Sequence, residues 1–279
     1  MSDILPKDFN WIIYRSLNPD LKEFNEEEIL NHYIHYGFFE KRIYKYDEYN
    51  LDNKNIVLIT SKIHVSNNKF SYIDNRSIYS SEERFNQTFQ TIVSIKKFIP
   101  NPYIILFDNS IFTNEHYDFL NNNVDKFINI IDDTLLNFYT NNYEYKAFSE
   151  ISQQISFYDT FFKYVNINSF NHFFKISGRY LINNSFDYNQ FDNEDIIFKK
   201  NNNIKDKDYY YTCFYKLNSN SITEYFNNLK ELIKNKELYE NSYSDLEVIL
   251  PKLFENKMKS VNKLGITQRI AIVNTIEQI

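Results

Sequence analysis

The least ambiguous apolar run in the chain is Ile56-Val57-Leu58-Ile59, closed by Thr60-Ser61 and preceded by a polar stretch at 47–55. A short, β-branched run with polar borders predicts a strand covered on both faces, as in a parallel sheet. Downstream, Ser80 with Glu83 three residues later predicts a capped helix start, and Phe85, Phe89, Ile92, Ile95 and Ile99 recur at helical spacing. Pro100-Asn101-Pro102 ends that helix, and Tyr103-Ile104-Ile105-Leu106-Phe107 reads as a second buried strand, which makes the segment a βαβ unit.

The same reading predicts a helix over 145–165, with Phe148, Ile151, Ile155, Tyr158, Phe162 and Val165 on one stripe, then strands at 172–176, 196–199 and 209–217. A helix follows at 222–233, and a last helical stretch at 244–258 must be kinked or interrupted by Pro251. Near the start, 8–17 is compatible with a helix, Asn18-Pro19-Asp20 breaks it, and Asn25 with Glu28 opens a second one. Ile29, Tyr33 and Ile34 share a face there, and Gly37 is expected where a left-handed helix end is needed. The expected organisation is a helical module at 1–46 followed by one α/β domain at 55–279, a mostly parallel Rossmann-type sheet flanked by helices.

Composition narrows the partners. Of the 279 residues 43% are hydrophobic and 18% aromatic, ample for a dry core, so disorder is not expected. With 31 Lys+Arg against 37 Asp+Glu the net charge is −6, and the basic residues form no stripe that could track a phosphate backbone, so nucleic acid is not an expected partner. The single cysteine, Cys213, lies in an aromatic run and reads as a buried structural thiol; no disulfide can form within the chain. No apolar run reaches the ~20 residues that cross a bilayer, and the polar, acidic start does not read as a secretion signal, so a cytoplasmic protein without a transmembrane segment is expected. The patches Asn121-Asn122-Asn123 and Asn201-Asn202-Asn203 read as loops.

In open α/β sheets ligands bind beyond the carboxyl ends of the strands, which directs attention to Thr60-Ser61, Asp108-Asn109-Ser110 and Ser177-Gly178-Arg179. A carboxylate at Asp108 can accept from a nucleobase or a ribose hydroxyl, though Asp-Asn-Ser is also an ordinary turn. Lys175 and Arg179 flank a glycine that would let a diphosphate approach the backbone; a solvated turn with two surface cations is the alternative. Arg84 and Gln87, and likewise Lys146 and Glu150, fall off the apolar stripes of their helices, where surface ion pairing and ligand contact both remain open. His32 and His35 lack a further ligand nearby, so no metal site is expected from them. No Gly-x-Ser-x-Gly elbow, Cys/His pairing or glycine-rich phosphate loop is present.

Two resemblances bear on these residues. Phe9-Asn10-Trp11, Tyr14, Leu17-Asn18-Pro19-Asp20-Leu21, His32-Tyr33, Tyr36-Gly37 and Glu40-Lys41-Arg42 resemble a short module often attached to glycosyltransferases and polysaccharide-handling proteins. The stretch 56–110 resembles the nucleotide-binding start of GT-A glycosyltransferases. Arg76-Ser77, Tyr79-Ser80, Glu83-Arg84, Gln87-Thr88, Lys146, Glu150 and Lys175-Ile176-Ser177-Gly178-Arg179-Tyr180 are similar to glycosyltransferase-like proteins of bacterial and viral glycan loci. The resemblance implies a nucleoside-diphosphate-sugar donor, a UDP-sugar foremost, and a glycan acceptor. It implies a donor site drawn from Thr60, Arg76, Arg84, Asp108, Lys146, Lys175, Ser177, Gly178 and Arg179. Ser244-Asp245-Leu246-Glu247 resembles the place where related enzymes carry their base, so Asp245 and Glu247 are the catalytic candidates; both also suit a helix N-terminus.

The chain departs from the GT-A pattern where a metal-binding Asp-x-Asp is expected, offering Ser177-Gly178-Arg179 instead, which leaves a Mg²⁺ or Mn²⁺ requirement open. Lys175 and Arg179 would then neutralise the departing diphosphate. Two rival readings stand beside this one. The first is a non-catalytic glycan- or partner-binding subunit, with residues 1–46 docking a protein partner or a second copy. The second, a nucleotidyltransferase, is opposed by Thr60-Ser61-Lys62, which lacks the glycine its phosphate loop would need.

Overall fold

In the computed structural model the run at 56–59 is the centre of strand β1 (Asn55–Thr60), buried along its whole length. The structure describes residues 4–46, 49, 51–70, 74–166, 169–193, 195–202, 208–236, 246–254, 257–269 and 276–279. By contact density the chain divides into a small unit, Met1–Asn50 with Tyr158–Asn166, and a large one holding the rest.

The large unit is a mixed α/β fold. Beside β1 lie β2 (Pro102–Asp108), β3 (Lys126–Asn129), β4 (His172–Ser177), β6 (Ile196–Lys200), β7 (Tyr210–Leu217) and β8 (Met258–Ser260), in the order β3-β2-β1-β4-β7-β6-β8. The pairs β3–β2, β2–β1, β1–β4 and β6–β8 are parallel and only β7 runs against its neighbours, so the sheet is mostly parallel, as its continuous apolar runs predict. Helices α3 (Ser81–Phe98) and α4 (Asn114–Asn123) supply the crossovers, followed by α5 (Thr134–Asn137), α6 (Lys146–Thr160), α7 (Ser219–Lys234) and α8 (Leu246–Lys252). Two-residue β5 (Leu181–Ile182) joins β9 (Ile266–Arg269) and β10 (Ile276–Gln278) in a second, antiparallel sheet. Val57, Ile59, Ile92, Ile104, Leu106, Phe174, Ile176 and Phe214 are all fully or almost fully buried in one apolar cluster between the sheet and its helices.

Several expectations need correction. Asn121 to Asn123 close α4 rather than forming a loop; the helix is capped by Thr113 and buries only Leu120 completely, so its apolar signal is faint. The final stretch is helical only as far as Lys252, with Pro251 inside α8, and Met258 starts an extended strand pairing with β6. Its expected start at Ser244 lies outside the described residues, as does Asn203 of the second asparagine patch. The stripe on α3 is real, but a polar row, Arg84, Gln87, Thr88, Thr91 and Ser94, is buried too, because this helix packs on two sides. Thr88 donates to Gly178 O at 2.8 Å and Ser94 accepts from Ile182 N at 3.1 Å, which ties that second side to the chain after β4.

The small unit contains α1 (Trp11–Leu17), capped by Asn10, and α2 (Glu26–His32), where Asn25 and Glu28 form the expected capping box. Its core is Tyr14, Leu21, Ile29 and Tyr33. Gly37 lies in a right-handed π turn (Tyr33–Gly37), not in a left-handed cap; the positive φ falls on Lys41 instead. What Gly37 provides is space, since a Cβ there would stand 2.0 Å from the Tyr14 hydroxyl oxygen.

Candidate functional site

The in-register pairing of Thr60 with Ser177 brings the ends of β1 and β4 side by side. The residues that follow, Ser61-Lys62 and Gly178-Arg179, form the floor of a cavity of about 100 Å³ at the carboxyl end of the sheet. The first two turns of α6 form one wall: Lys146, Ser149, Glu150 and Gln153 share a helical face over it. Arg84, from the first turns of α3, forms another. Thr60, Arg84, Lys146, Ser177, Gly178 and Arg179, six of the donor-site residues expected from sequence, are therefore brought together.

Positive charge is concentrated here. Arg84, only 8% exposed, donates from Nε to Lys62 O at 2.7 Å and from Nη1 to Ser77 Oγ at 3.2 Å. Burial, and then the Arg179 charge, push the Arg84 guanidinium below its ordinary range, although a guanidinium stays protonated at neutral pH. Arg179, also buried, donates to Arg269 O at 2.7 Å and lies over the Tyr180 ring. The Lys146 ammonium is held below the ordinary lysine value by burial first and by Arg179 next, with Glu247 and Glu150 pulling the other way. Lys62, which donates to Asn109 O at 2.9 Å, is lowered by burial. Like charges crowded so closely disfavour one another until an anion sits among them.

A second cavity of about 220 Å³ shares Lys146, Glu150, Ser177 and Arg179 with the first. Its remaining lining is different in kind: Glu247 and Glu277, the tyrosines 180, 209 and 211, and Gln268. Glu247 accepts from Thr212 Oγ1 at 3.1 Å. Burial pushes both the Cys213 thiol and the Tyr180 hydroxyl up to about 12, so each stays protonated across the neutral range. A third, open cavity of about 490 Å³ meets the second at Asn201 and Tyr211 and is edged by Lys199, Lys200 and Lys263.

Other sequence candidates fall elsewhere. Asp108 is fully buried, and its two carboxylate oxygens accept from the backbone N–H groups of Ile63 at 3.0 Å and Ser110 at 2.7 Å. It staples the turn after β2 to the loop after β1, and it lines neither of the first two cavities. Arg76 is buried against backbone carbonyls of Asn68, Thr140 and Tyr143 and lines a separate cavity with Ser66 and Tyr79. Lys175 is fully buried; its three ammonium protons are taken by Glu150 Oε1, Ser177 Oγ at 3.0 Å and Thr212 O at 3.1 Å, so it lies behind the site rather than on a phosphate. Gly178 is part of the cavity floor, and the space of its missing Cβ is filled by Ser61 and Thr88, at 3.0–3.2 Å, so its lack of a side chain serves close packing. Asp245 lies outside the described residues. Gln153 and Lys62 carried no site signal in the sequence. Gln153 sits in a polar row that reads as the exposed side of α6 but is buried, and it donates to Ser61 O at 2.5 Å.

No group of three or more His, Cys, Asp or Glu side chains suited to a metal occurs among the described residues. No helix among them is long and apolar enough to cross a membrane.

No family model matches the chain, and no curated protein matches it. Among solved structures it is similar to two crystal structures of the glycosyltransferase GlyE of Streptococcus pneumoniae TIGR4, one of them the apo form. The chain is 12% identical to each, with TM-scores of 0.46 and 0.45, over 76% and 75% of its own length. It spans less than half of each of those chains, 46% and 45% respectively.

Proposed function

We propose that the large unit is a glycosyltransferase that moves a sugar from a nucleoside-diphosphate donor, a UDP-sugar foremost, to a glycan hydroxyl. The observation that carries this reading is the meeting of Lys62, Arg84, Lys146 and Arg179 around one cavity at the carboxyl ends of β1 and β4, beside a second cavity lined by carboxylates and tyrosines. Cations suit a diphosphate. Carboxylates and aromatic rings suit a sugar, whose hydroxyls need acceptors and whose C–H faces pack on rings.

In this reading the acceptor oxygen attacks the anomeric carbon as the bond from that carbon to the phosphate oxygen breaks. The bond's electron pair leaves on the diphosphate, where Arg84, Lys146 and Arg179 offset the growing charge. The acceptor proton passes to a carboxylate, a role we assign to Glu247, which lines the second cavity and accepts from Thr212 Oγ1. The residues of the first cavity do not fit a divalent metal: Glu150, paired with Lys175 through Oε1, is among the described residues the one carboxylate in a lining that carries Lys62, Arg84, Lys146 and Arg179. No step is routed through one. The third cavity is the proposed acceptor path. Incubation with UDP-, GDP- and dTDP-sugars tests the reading: hydrolysis or transfer with one of them is expected, and neither turnover nor binding with any would overturn it.

The rival, a non-catalytic partner-binding subunit, is favoured by the exposed Tyr36, Phe38 and Phe39 of the small unit. It predicts assembly lost on Phe38→Ser or Phe39→Ser and transfer by the assembly unchanged on Arg179→Ala.

A further inference from the structure

Lys175 and Glu150 form an ion pair in which the lysine side chain is 0% and the glutamate side chain 20% exposed. A lysine with no access to water needs a fixed anionic partner, and the Ser177 and Thr212 contacts leave its ammonium no other place to point. Glu150 is thereby held in one position. Oε1 is engaged by Lys175, and among the described residues Oε2 makes no further hydrogen bond, while the residue lines both the cation-rich cavity and the carboxylate-rich one. Glu150 thus marks the boundary where, on the transferase reading above, the phosphate ends and the sugar begins.

We infer that Glu150 is a substrate-contacting residue that accepts a sugar hydroxyl through Oε2, that Lys175 is its positioning residue, and that together with Glu247 and Glu277 it restricts the donor to uncharged sugars. The inference rests on the donor-binding reading but adds what that reading leaves open, the class of sugar. A hydroxyl donates to a fixed carboxylate. A sugar carboxylate in the same cavity meets the carboxylates of Glu150, Glu247 and Glu277 and has no proton to give, while Lys146 and Arg179, the cations shared with the first cavity, are engaged by the diphosphate on this reading.

Glucose 1-phosphate and glucuronic acid 1-phosphate, which differ only at C6, are the probes, with inorganic pyrophosphate as a control for the cation cluster. Ligand-detected NMR titration should show pyrophosphate binding, and glucose 1-phosphate favoured over the glucuronate by about ten-fold or more. Glu150→Gln should bring the two sugar phosphates to within about three-fold while pyrophosphate still binds. Because that variant strands the Lys175 charge, E150Q/K175M, which removes both charges together, is measured alongside it. Equal binding of the two sugar phosphates by the unaltered protein, or an unchanged preference in both variants, overturns the inference and leaves the diphosphate site standing. Failure of pyrophosphate to bind removes the donor-binding reading, and this inference with it.

Discussion

Lys146 and Lys175 both stood among the donor-site candidates from sequence, Lys175 with Arg179 beside the glycine and Lys146 on a helix face open to ion pairing, and their surroundings reverse that order. Lys175 is saturated by three acceptors and orients Glu150, whereas Lys146 opens on both cavities. The depressed Lys146 value has two consequences of opposite sign. Its half-buried, partly desolvated charge costs stability at neutral pH, and that cost is relieved as pH rises toward the ordinary lysine value of 10.5. Diphosphate binding needs the charged form, so affinity should fall as pH rises through the lowered value; titrations of pyrophosphate from neutral pH up to the ordinary lysine value check this, and Lys146→Met should flatten the fall. Arg179→Ala should weaken pyrophosphate at least about ten-fold, read by calorimetry, since it removes a guanidinium that faces both cavities. Such distinctions were not legible in the sequence. Asp108 shows why: a carboxylate at a strand end looks the same in one dimension whether it faces a ligand or, as here, two backbone N–H groups.

At the scale of elements, β1, α3 and β2 were legible because their apolar spacing and the Ser80–Glu83 capping box are local signals. The buried polar rows of α3 and α6 were not, since a residue facing a second protein surface and one facing water have the same helical period. Short β5, β9 and β10 carry too few residues for an alternating pattern to register. The contact of α3 with the chain after β4 is narrow enough to test. Gly178→Ala would press a methyl group against Ser61 and Thr88 and should shift the neighbouring Arg179, lowering pyrophosphate affinity several-fold with a stability loss of about 1–3 kcal/mol by denaturant melts. In the small unit the strain is greater: Gly37→Ala brings a Cβ onto the Tyr14 hydroxyl and should destabilise that unit by about 1–3 kcal/mol or more, seen as earlier loss of protection in hydrogen exchange of α1 and α2.

For the molecule as a whole, the large unit gathers residues distant in sequence, from Thr60 to Glu277, around adjoining cavities at one end of its main sheet. The side chains that define the first cavity come from two strand ends and two helix starts, an arrangement that follows from βαβ connection and needs no single long motif. The most direct measurement is a crystal structure of the protein with a UDP-sugar. The account predicts the diphosphate within hydrogen-bonding distance of Arg84, Lys146 or Arg179, with the sugar beside Glu150. An ordered nucleotide held elsewhere, with these cations still facing an empty cavity, would contradict it.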